Sequence, residues 1–247
     1  MNVLGIIPAR YGSTRFPGKP LAKIGDRTMI HRTYLQALKS SLDAVVVATD
    51  DQRIAMEVSG FGGRVVMTRS DHRSGTDRCR EALTLVDGDY DAVVNIQGDE
   101  PFIDPAQIDQ VAALLQEGDT PLATLARRIT DPVLLPNPNV VKVVFDAHGN
   151  ALYFSRHPIP FVRGTEPSQW LTKTAFYQHI GIYGYRSETL RVIADWAPGR
   201  LEQAESLEQL RWLEQGLKIK VGVTELPGSY AIDTPQDLLN LPKELLV

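Results

Sequence analysis

Short apolar runs alternate with amphipathic segments along the first half of the chain. Runs rich in Val, Ile and Ala predict strands over residues 3–7, 43–50, 64–68 and 91–101. Apolar positions at helical spacing between them predict helices over residues 28–40 and 52–59, and a third that ends near residue 83. Strands this apolar are buried on both faces, so the pattern predicts an open, mainly parallel, Rossmann-like α/β sheet with helices on each side.

The second half of the chain has a different pattern. The segments "PLATLARRI", "VVKVVFD" and "ALYFSR" follow one another closely, with "HGN" as a turn, which predicts an antiparallel, β-rich elaboration. Residues 158–173 predict a long surface loop, residues 179–185 a strand, and residues 187–195 and 201–215 two helices. The second helix has a predicted buried stripe of Leu201, Ala204, Leu207, Leu210 and Leu213.

The chain closes with a predicted strand, "KIKVGVTE", and a predicted helix, "TPQDLLNL". Thr234 is the expected N-cap of that helix and Pro235 its first residue. No repeat or linker interrupts the pattern. The sequence therefore predicts a single domain over residues 1–247, with the β-rich elaboration at residues 131–200.

Composition limits the classes of partner. Of the 247 residues, 43% are hydrophobic and 23% charged, and the net charge is −4, so the chain is a folded protein with no general attraction to nucleic acid or anionic membranes. Cys79 is the single cysteine, which fits a reducing compartment. The apolar runs are far shorter than the ~20 residues that cross a bilayer. These features predict a cytoplasmic protein.

A cationic loop follows the first predicted strand. The stretch "IIPARYGSTRFPGKPL" places Arg10, Arg15 and Lys19 among glycines and prolines. It is not a Walker A loop, because Lys19 is followed by proline instead of Ser or Thr, and it lacks the dinucleotide fingerprint G-x-G-x-x-G. Ligands of parallel sheets bind at the carboxyl ends of the strands. The loop therefore predicts an anion site there, against the alternative of three solvated surface cations.

Two carboxylates lie at predicted strand ends. Asp99 follows a buried strand in "NIQGDEP", and Asp233 lies in "YAIDTPQD". Carboxylates at such an edge can hold Mg²⁺, which shares its coordination sphere with substrate phosphates. The alternatives are a turn residue for Asp99 and a helix cap for Asp233. The sequence alone does not bring the two together.

Other polar residues have both structural and functional interpretations. "SGTDR" can be a capped helix start, with Ser74 and Asp77 forming a capping-box variant. His179 at a strand start is typical of a structural histidine. Glu208 and Gln209 fit the solvated face of an amphipathic helix.

Taken together, the motifs resemble the sugar-activating nucleotidyltransferases and, more narrowly, the CMP-Kdo synthetase (3-deoxy-manno-octulosonate cytidylyltransferase) family. The resemblance runs from residue 6 to residue 237, and it rests on the cationic loop, "QGDEP", "NPNVVKVVFD", "ALYFSR", "QHIGIYGY" and "DTPQD". It implies a magnesium-dependent enzyme that couples CTP to Kdo for lipopolysaccharide assembly and releases pyrophosphate. It also implies a nucleotide-binding part at residues 1–130 and a homodimer formed through the β-rich region, which would bind the sugar.

The resemblance also implies roles for individual residues. Those for CTP are Arg10, Ser13, Arg15, Lys19, Ser74, Gly75 and Gln97. Those for Kdo are Arg156, which would face the carboxylate, and His179, Tyr183, Glu208 and Gln209. Asp99 and Asp233 would ligate Mg²⁺, and with Arg10 and Lys19 they would carry the catalysis. The family has Glu where Asp77 stands, so the shorter side chain leaves a direct contact from Asp77 open.

Two alternative functions remain at this point. The substrate can be a related acid, such as 8-amino Kdo or a sialic acid, although the sialic acid family lacks the "FPGKPL" ending of the loop. A non-catalytic CTP sensor is the alternative from another class. The presence of both Asp99 and Asp233 argues against it, because binding alone rarely needs two carboxylates beside a triphosphate.

Overall fold

The fold is described by a computed structural model covering residues 1–12, 15–228, 230 and 232–246. The strands are β1 (Val3–Ala9), β2 (Lys23–Ile24), β3 (Arg27–Thr28), β4 (Ala44–Thr49), β5 (Val65–Met67), β6 (Ala92–Asn95), β7 (Leu122–Arg128), β8 (Lys142–Phe145), β9 (Ala151–Ser155), β10 (Tyr177–Arg186) and β11 (Lys220–Val223). The α-helices are α1 (Met29–Ala37), α2 (Gln52–Gly60), α3 (Gly75–Leu85), α4 (Pro105–Leu114), α5 (Trp170–Lys173), α6 (Ser187–Ile193), α7 (Arg200–Glu205), α8 (Gln209–Glu214) and α9 (Pro235–Leu239).

Within these described ranges, nine strands form one sheet with the central order β11-β7-β10-β6-β1-β4-β5. Strands β6, β1, β4 and β5 run parallel to one another, and β11 is parallel to β7. β10 is antiparallel to both of its neighbours, β6 and β7. The prediction of a mainly parallel α/β sheet is confirmed.

Alternate residues of the central strands enter two separate cores. In β1, Leu4 and Ile6 pack on the face covered by α3, α6 and α8, whereas Val3 and Ile7 pack on the face covered by α1, α2 and α4. β4 alternates in the same way. Both faces are apolar because both are covered by helices, which is why these strands read as continuous hydrophobic runs.

The β-rich elaboration is built on the central sheet. β8 and β9 form an antiparallel hairpin around the predicted "HGN" turn, and the start of β8 also pairs with β10. β10 itself lies in the middle of the sheet. The region at residues 131–200 thus supplies both a peripheral hairpin and a central strand.

The predicted helix caps of α3 and α9 are confirmed, and α1 is capped in the same way. Thr28 caps α1 by accepting from the His31 amide, and Ser74 and Asp77 form a reciprocal capping box on α3. Thr234 caps α9 with Pro235 in first position. Polar side chains at these positions satisfy amide groups that have no partner inside the helix.

Some boundaries differ from the predictions. β6 ends at Asn95 instead of residue 101, because residues 98–102 turn toward α4. Helix α4, which begins with Asp104 as N-cap and Pro105 in first position, was not predicted. The predicted loop at residues 158–173 contains a 3-10 turn, Pro167–Gln169, and the short helix α5.

The predicted helix at residues 201–215 was wrong as a single element. It breaks into α7 and α8 at Ser206, whose φ of 52° is left-handed. A non-glycine residue in this conformation costs about 1–2 kcal/mol. The break removes Ala204 from the predicted stripe, and its side chain is exposed, while Leu207 and Leu210 are buried.

Candidate active site

A cleft of about 360 Å³ lies at the carboxyl ends of β1 and β6. Its described lining includes five cationic side chains: Arg10, Arg15, Lys19, Arg73 and Arg78. It also includes Ser74, Gly75, Gln97, Asp99 and Asp233. This cationic cleft contains every CTP or metal residue implied by the resemblance except Ser13, which lies outside the described residues. In an open parallel sheet this edge is the expected place for a ligand.

Lys19 joins the two candidate metal ligands. Its Nζ lies 2.7 Å from Asp99 Oδ2 and 3.2 Å from Asp233 Oδ1, and its side chain is only 14% exposed. The backbone brings the two carboxylates together, because the Ile232 amide donates to the Asp99 carbonyl at 3.0 Å. The loop after β6, at residue 99, and the turn before α9, at residue 233, therefore meet at one point of the cleft. The sequence expectation that Asp233 directly follows a strand was wrong, because β11 ends at Val223.

The turn that carries Asp233 is itself fixed. The Asp237 carboxylate accepts from the amides of Asp233 and Thr234 and from the Thr234 hydroxyl. These hydrogen bonds, first that of the Thr234 side chain, lower the pKa of Asp237. Arg15 Nη2 lies 3.2 Å from Asp233 Oδ2, and both side chains are substantially exposed. Arg15 can therefore exchange this partner for a ligand at little cost.

The opposite wall of the cleft is the N-terminus of α3. The amide groups at a helix N-terminus favour anions, and Ser74 and Gly75 lie at this end. Arg78, one turn into the helix, is 4% exposed and donates to Thr68 Oγ1 at 2.5 Å, with Asp50 at 3.4 Å. Its partners fix a buried cation in the cleft wall.

The residues to which the resemblance assigns the sugar are here called the inner cluster: Arg156, His179, Tyr183, Glu208 and Gln209. It adjoins the cleft through Glu208, whose Oε2 accepts from Thr76 Oγ1 at 2.9 Å, next to Gly75. Burial raises the pKa of Glu208, although the hydrogen bond from Thr76 opposes the shift. Gln209 follows in the chain and is buried, 4% exposed.

Aromatic contacts hold the middle of the inner cluster. The rings of His179 and Tyr183 lie 5.3 Å apart, and Tyr183 meets Trp212 edge-on at 5.2 Å. Phe154, two residues before Arg156, contacts His179 edge-on. A bulge in β10 between residues 180 and 183 shifts its register against β7 and so sets how His179 and Tyr183 are presented.

The hydrogen bonds of Thr124 define the protonation of His179. The Thr124 hydroxyl lies 2.7 Å from the Ile182 carbonyl and 2.9 Å from His179 Nε2. A hydroxyl has one proton, and a carbonyl can only accept, so His179 Nε2–H donates to Thr124 Oγ1. Nδ1 is then an acceptor. Burial lowers the pKa of His179 to about 3, so the ring is neutral at physiological pH.

Arg156 is held by main-chain carbonyls. Its Nε donates to Glu205 O at 2.7 Å, Nη1 to Pro138 O at 3.0 Å and Nη2 to Ser206 O at 3.2 Å. A guanidinium has five N–H groups. Within the described residues, one N–H on each terminal nitrogen is left for a ligand.

Glu100 has a different environment from its neighbour Asp99. Burial, and next the Asp99 carboxylate, raise the pKa of Glu100 to about 7. Its Oε2 is buried without a hydrogen-bond partner in the described part of the chain. Glu100, which is absent from the cleft lining, is therefore not a candidate metal ligand.

The two carboxylates that contact Lys19, those of Asp99 and Asp233, are suitable ligands for Mg²⁺. The described residues contain no group of three or more acidic, His or Cys side chains arranged as a metal cage. Mg²⁺ is commonly bound by one or two carboxylates, with substrate phosphates and water in the other positions. Asp99 and Asp233, which already share one cation in Lys19 Nζ, supply this number of carboxylates.

Comparison with known proteins identifies the family. The family model described as "Cytidylyltransferase" matches residues 4–219. The chain belongs to the cytidylyltransferase family.

Similar cytidylyltransferases cover nearly the whole chain. A 3-deoxy-manno-octulosonate cytidylyltransferase of Bacteroides thetaiotaomicron is 54% identical over 96% of both chains. An 8-amino-3,8-dideoxy-manno-octulosonate cytidylyltransferase of Shewanella halifaxensis is 49% identical, again over 96% of both. A solved CMP:2-keto-3-deoxy-manno-octonic acid synthetase complexed with CTP is 39% identical over 97% of this chain and 96% of its own, with a TM-score of 0.88.

Sequence reasoning missed two lining cations of this cytidylyltransferase, Arg73 and Arg78, as candidate site residues. Arg73 directly precedes the segment "SGTDR" and Arg78 ends it, so both are close to the candidates Ser74 and Gly75. Their position at a helix start that follows a parallel strand was the available signal. Burial of Arg78 depends on Thr68 and Asp50, which no local pattern connects to it.

Proposed function

We propose that this cytidylyltransferase transfers a cytidylyl group from CTP to Kdo, giving CMP-Kdo and pyrophosphate for lipopolysaccharide biosynthesis. A hydroxyl oxygen of Kdo forms the new bond to the α-phosphorus, and the bond from that phosphorus to the pyrophosphate oxygen breaks. The observation that carries the proposal is Lys19 between Asp99 and Asp233 in a cleft lined with arginines. Similarity to CMP-Kdo synthetases over nearly the whole chain supports the choice of acid.

In this proposal the cationic cleft holds the triphosphate. Arg10 and Arg15 can form paired hydrogen bonds to phosphate oxygens, and Lys19 adds a point charge. Ser74 and Gly75 bind the nucleotide at the opposite wall, and Gln97 binds it after the end of β6. The resemblance assigns Ser13 to the nucleotide as well. Arg10 and Lys19 neutralise the charge of the departing pyrophosphate. Such electrostatic stabilisation is a main source of catalysis in phosphoryl-type transfer.

Asp99 and Asp233 would hold Mg²⁺ in the same proposal. When bound, Mg²⁺ neutralises phosphate charge and lowers the pKa of a nearby hydroxyl, so no side-chain base is needed. Lys19 would then move from the two carboxylates to the phosphates. The exposed Arg15 is free to make the same exchange.

The inner cluster would bind the sugar acid. Arg156 presents one N–H from each terminal nitrogen, which matches the two oxygens of a carboxylate. Neutral His179, with Nδ1 as acceptor, suits a hydroxyl group. Tyr183, Glu208 and Gln209 complete this side, and Glu208 joins it to the nucleotide side through Thr76.

The proposal extends to assembly and location. Residues 1–130 would mainly bind the nucleotide, whereas residues 131–200 would bind the sugar and form a homodimer. Exposed apolar side chains in the second region support this, since Val133 is 73%, Leu152 62% and Phe161 75% exposed. No helix in the described residues is both long and apolar enough to span a bilayer. We place the reaction in the cytoplasm, which the single cysteine fits, with no nucleic-acid partner.

A turnover panel tests the proposal. Pyrophosphate release is measured with CTP, Mg²⁺ and, separately, Kdo, 8-amino Kdo and a sialic acid, with UTP in place of CTP as the control. We expect Kdo with CTP to give the highest kcat/KM. A higher kcat/KM with 8-amino Kdo would instead assign that acid as the substrate. It is the second candidate because of the similar enzyme from Shewanella halifaxensis. CTP binding by calorimetry without release from any acid would indicate a sensor.

A further inference from the structure

Two charged residues beside the inner cluster, Lys142 and Glu205, have no role in the proposed reaction. Lys142 on β8 is fully buried, and its Nζ donates to the carbonyls of Asn137 at 2.9 Å and Arg156 at 2.5 Å. Glu205, the last residue of α7, accepts from Ser155 Oγ at 2.7 Å and from the Arg156 amide at 2.9 Å. A buried lysine and a carboxylate are both costly to desolvate, so their placement needs an explanation.

Both groups act on the same residue. Lys142 binds the Arg156 carbonyl, and the Glu205 carboxylate binds the Arg156 amide, so the backbone of Arg156 is fixed from two sides. The Glu205 carbonyl then accepts from Arg156 Nε. Glu205 therefore contacts Arg156 at both the backbone and the side chain.

The surrounding carbonyls fix the plane of the guanidinium. Pro138 O binds Nη1 and Ser206 O binds Nη2. Lys142 donates to the carbonyl of Asn137, the residue before Pro138, and so holds Pro138 in place. Ser206 has a left-handed backbone, which orients its own carbonyl at the break between α7 and α8. Three hydrogen bonds to three separate carbonyls leave the guanidinium one orientation.

We propose that Glu205 and Lys142 are positioning residues that orient the Arg156 guanidinium for the carboxylate of the sugar acid. The inference rests on the proposed function, because it takes Arg156 as the partner of that carboxylate. Glu205 and Lys142 would not touch the substrate. A carboxylate gains most from a guanidinium whose two remaining N–H groups are already aligned, since no side-chain freedom is then lost on binding.

The same set connects the sugar side to the nucleotide side. The turn that Arg156 binds at residues 205–206 leads directly to Glu208, which reaches Thr76 beside the cleft. Displacement of Arg156 would therefore disturb the sugar side first. The triphosphate contacts on β1 and β6 do not involve this turn.

A double-mutant cycle tests the inference. The variants are Glu205→Gln, Arg156→Ala and both together, and steady-state rates give KM for Kdo, KM for CTP and kcat. Glu205→Gln replaces the charged acceptor of the Arg156 amide by a neutral one, which weakens that hydrogen bond. We expect KM for Kdo to rise about tenfold, with KM for CTP within about twofold. In the Arg156→Ala background, Glu205→Gln should add no further rise in KM for Kdo.

The matched control is Glu202→Gln. Glu202 lies on the same helix, and its carboxylate pairs with Arg211 at 2.6 and 2.7 Å, away from Arg156. We expect it to lower thermal stability at least as much as Glu205→Gln without separating the two KM values. Lys142→Met supplies a second variant, expected to show the same selective rise in KM for Kdo if it folds by circular dichroism.

The outcomes separate the inference from the proposed function. If Arg156→Ala raises KM for Kdo but Glu205→Gln does not, or if the two effects add, the positioning role is wrong and the function stands. Equal rises in both KM values for Glu205→Gln would also overturn it, because they indicate a general structural loss. If Arg156→Ala leaves KM for Kdo unchanged, Arg156 is not the partner of the carboxylate, and the inference fails with that assignment.

Discussion

In the cationic cleft, charged side chains are partly exposed to water, whereas the polar groups of the inner cluster are largely buried. Arg15 and Asp233 form an ion pair with each other, and their side chains are 66% and 42% exposed. In contrast, Glu208 and His179 have pKa values shifted by burial, and Lys142 is fully enclosed. The cleft can exchange ion pairs for a flexible, highly charged ligand. The inner cluster is fixed by neighbour-to-neighbour hydrogen bonds, as suits recognition of one acid by shape.

Removal of one cleft carboxylate is expected to have the largest effect. Asp99→Asn should lower kcat by about two to three orders of magnitude at ordinary Mg²⁺, because a metal ion contributes several kcal/mol of transition-state stabilisation. The fold should persist, since Lys19 keeps Asp233 as a partner. The measurement is kcat by pyrophosphate release, with circular dichroism as the check on folding.

Asp104→Asn is the matched control for this prediction. Asp104 caps α4 by accepting from the Ala106 amide, and asparagine caps a helix about as well. The control should keep wild-type activity and stability. A wild-type rate in Asp99→Asn would remove Asp99 from the metal site and leave the cleft without one of its two proposed ligands.

The contrast between the two regions also explains what could be predicted from the sequence. The strands and the helix caps are encoded locally, so β1, β4 and the Ser74–Asp77 box follow from short patterns. Many of the cleft residues could be predicted for the same reason, since Arg10, Lys19 and Asp99 lie on segments that follow β1 or β6. The convergence of these residues on one cleft could not be predicted, because the hydrogen bond from the Ile232 amide to the Asp99 carbonyl joins segments that are distant in the chain.

The inner cluster was the harder region to predict. The break between α7 and α8 interrupts a segment whose local pattern favours one helix. The Ser206 carbonyl at the break accepts from Arg156, which follows β9 and is distant in the chain. The periodic leucines at positions 201, 207, 210 and 213 favour one helix, and tertiary hydrogen bonds override them. Helix α4 is a different case, because its Asp104–Pro105 start was a readable local signal that the strand prediction at residues 91–101 overlooked.

His179, which is partly buried, gives the second prediction, on stability against pH. Burial lowers the pKa of His179 from 6.5 to about 3. Between these values the unfolded chain binds a proton that the folded protein does not, so stability falls as pH decreases. From pH 6.5 to pH 5 the loss from His179 is up to about 2 kcal/mol. This is the upper figure, since part of the side chain meets solvent.

Urea unfolding of the wild type and of His179→Gln, measured from pH 5 to pH 8, isolates this contribution. Glutamine can still donate to Thr124, and it does not titrate. The wild type should lose more stability than the variant below pH 6.5, and the two curves should run parallel above pH 7.5. Parallel curves over the whole range would mean that the inner cluster tolerates a charged imidazole and is less enclosed than the contacts indicate.

The smallest expected effect belongs to an exposed cation of the cleft. Arg15→Ala should raise KM for CTP about five- to tenfold, or roughly 1 kcal/mol, because Arg15 is two-thirds exposed and its charge is screened by water. KM for Kdo should change by less than about twofold. Added salt at 0.5 M should shrink the difference between variant and wild type, since exposed charges are screened within a few ångströms at that ionic strength.

Arg27→Ala is the control for this last comparison, because Arg27 is also exposed and pairs with Asp26, at 3.7 Å, outside the cleft lining. It should leave both KM values unchanged at every salt concentration. An equal rise of both KM values in Arg15→Ala would show that the loop organises the sugar side as well as the triphosphate. In that case the division between an exchangeable cleft and a fixed inner cluster would fail, since a loop held only by exposed ion pairs would control both substrates.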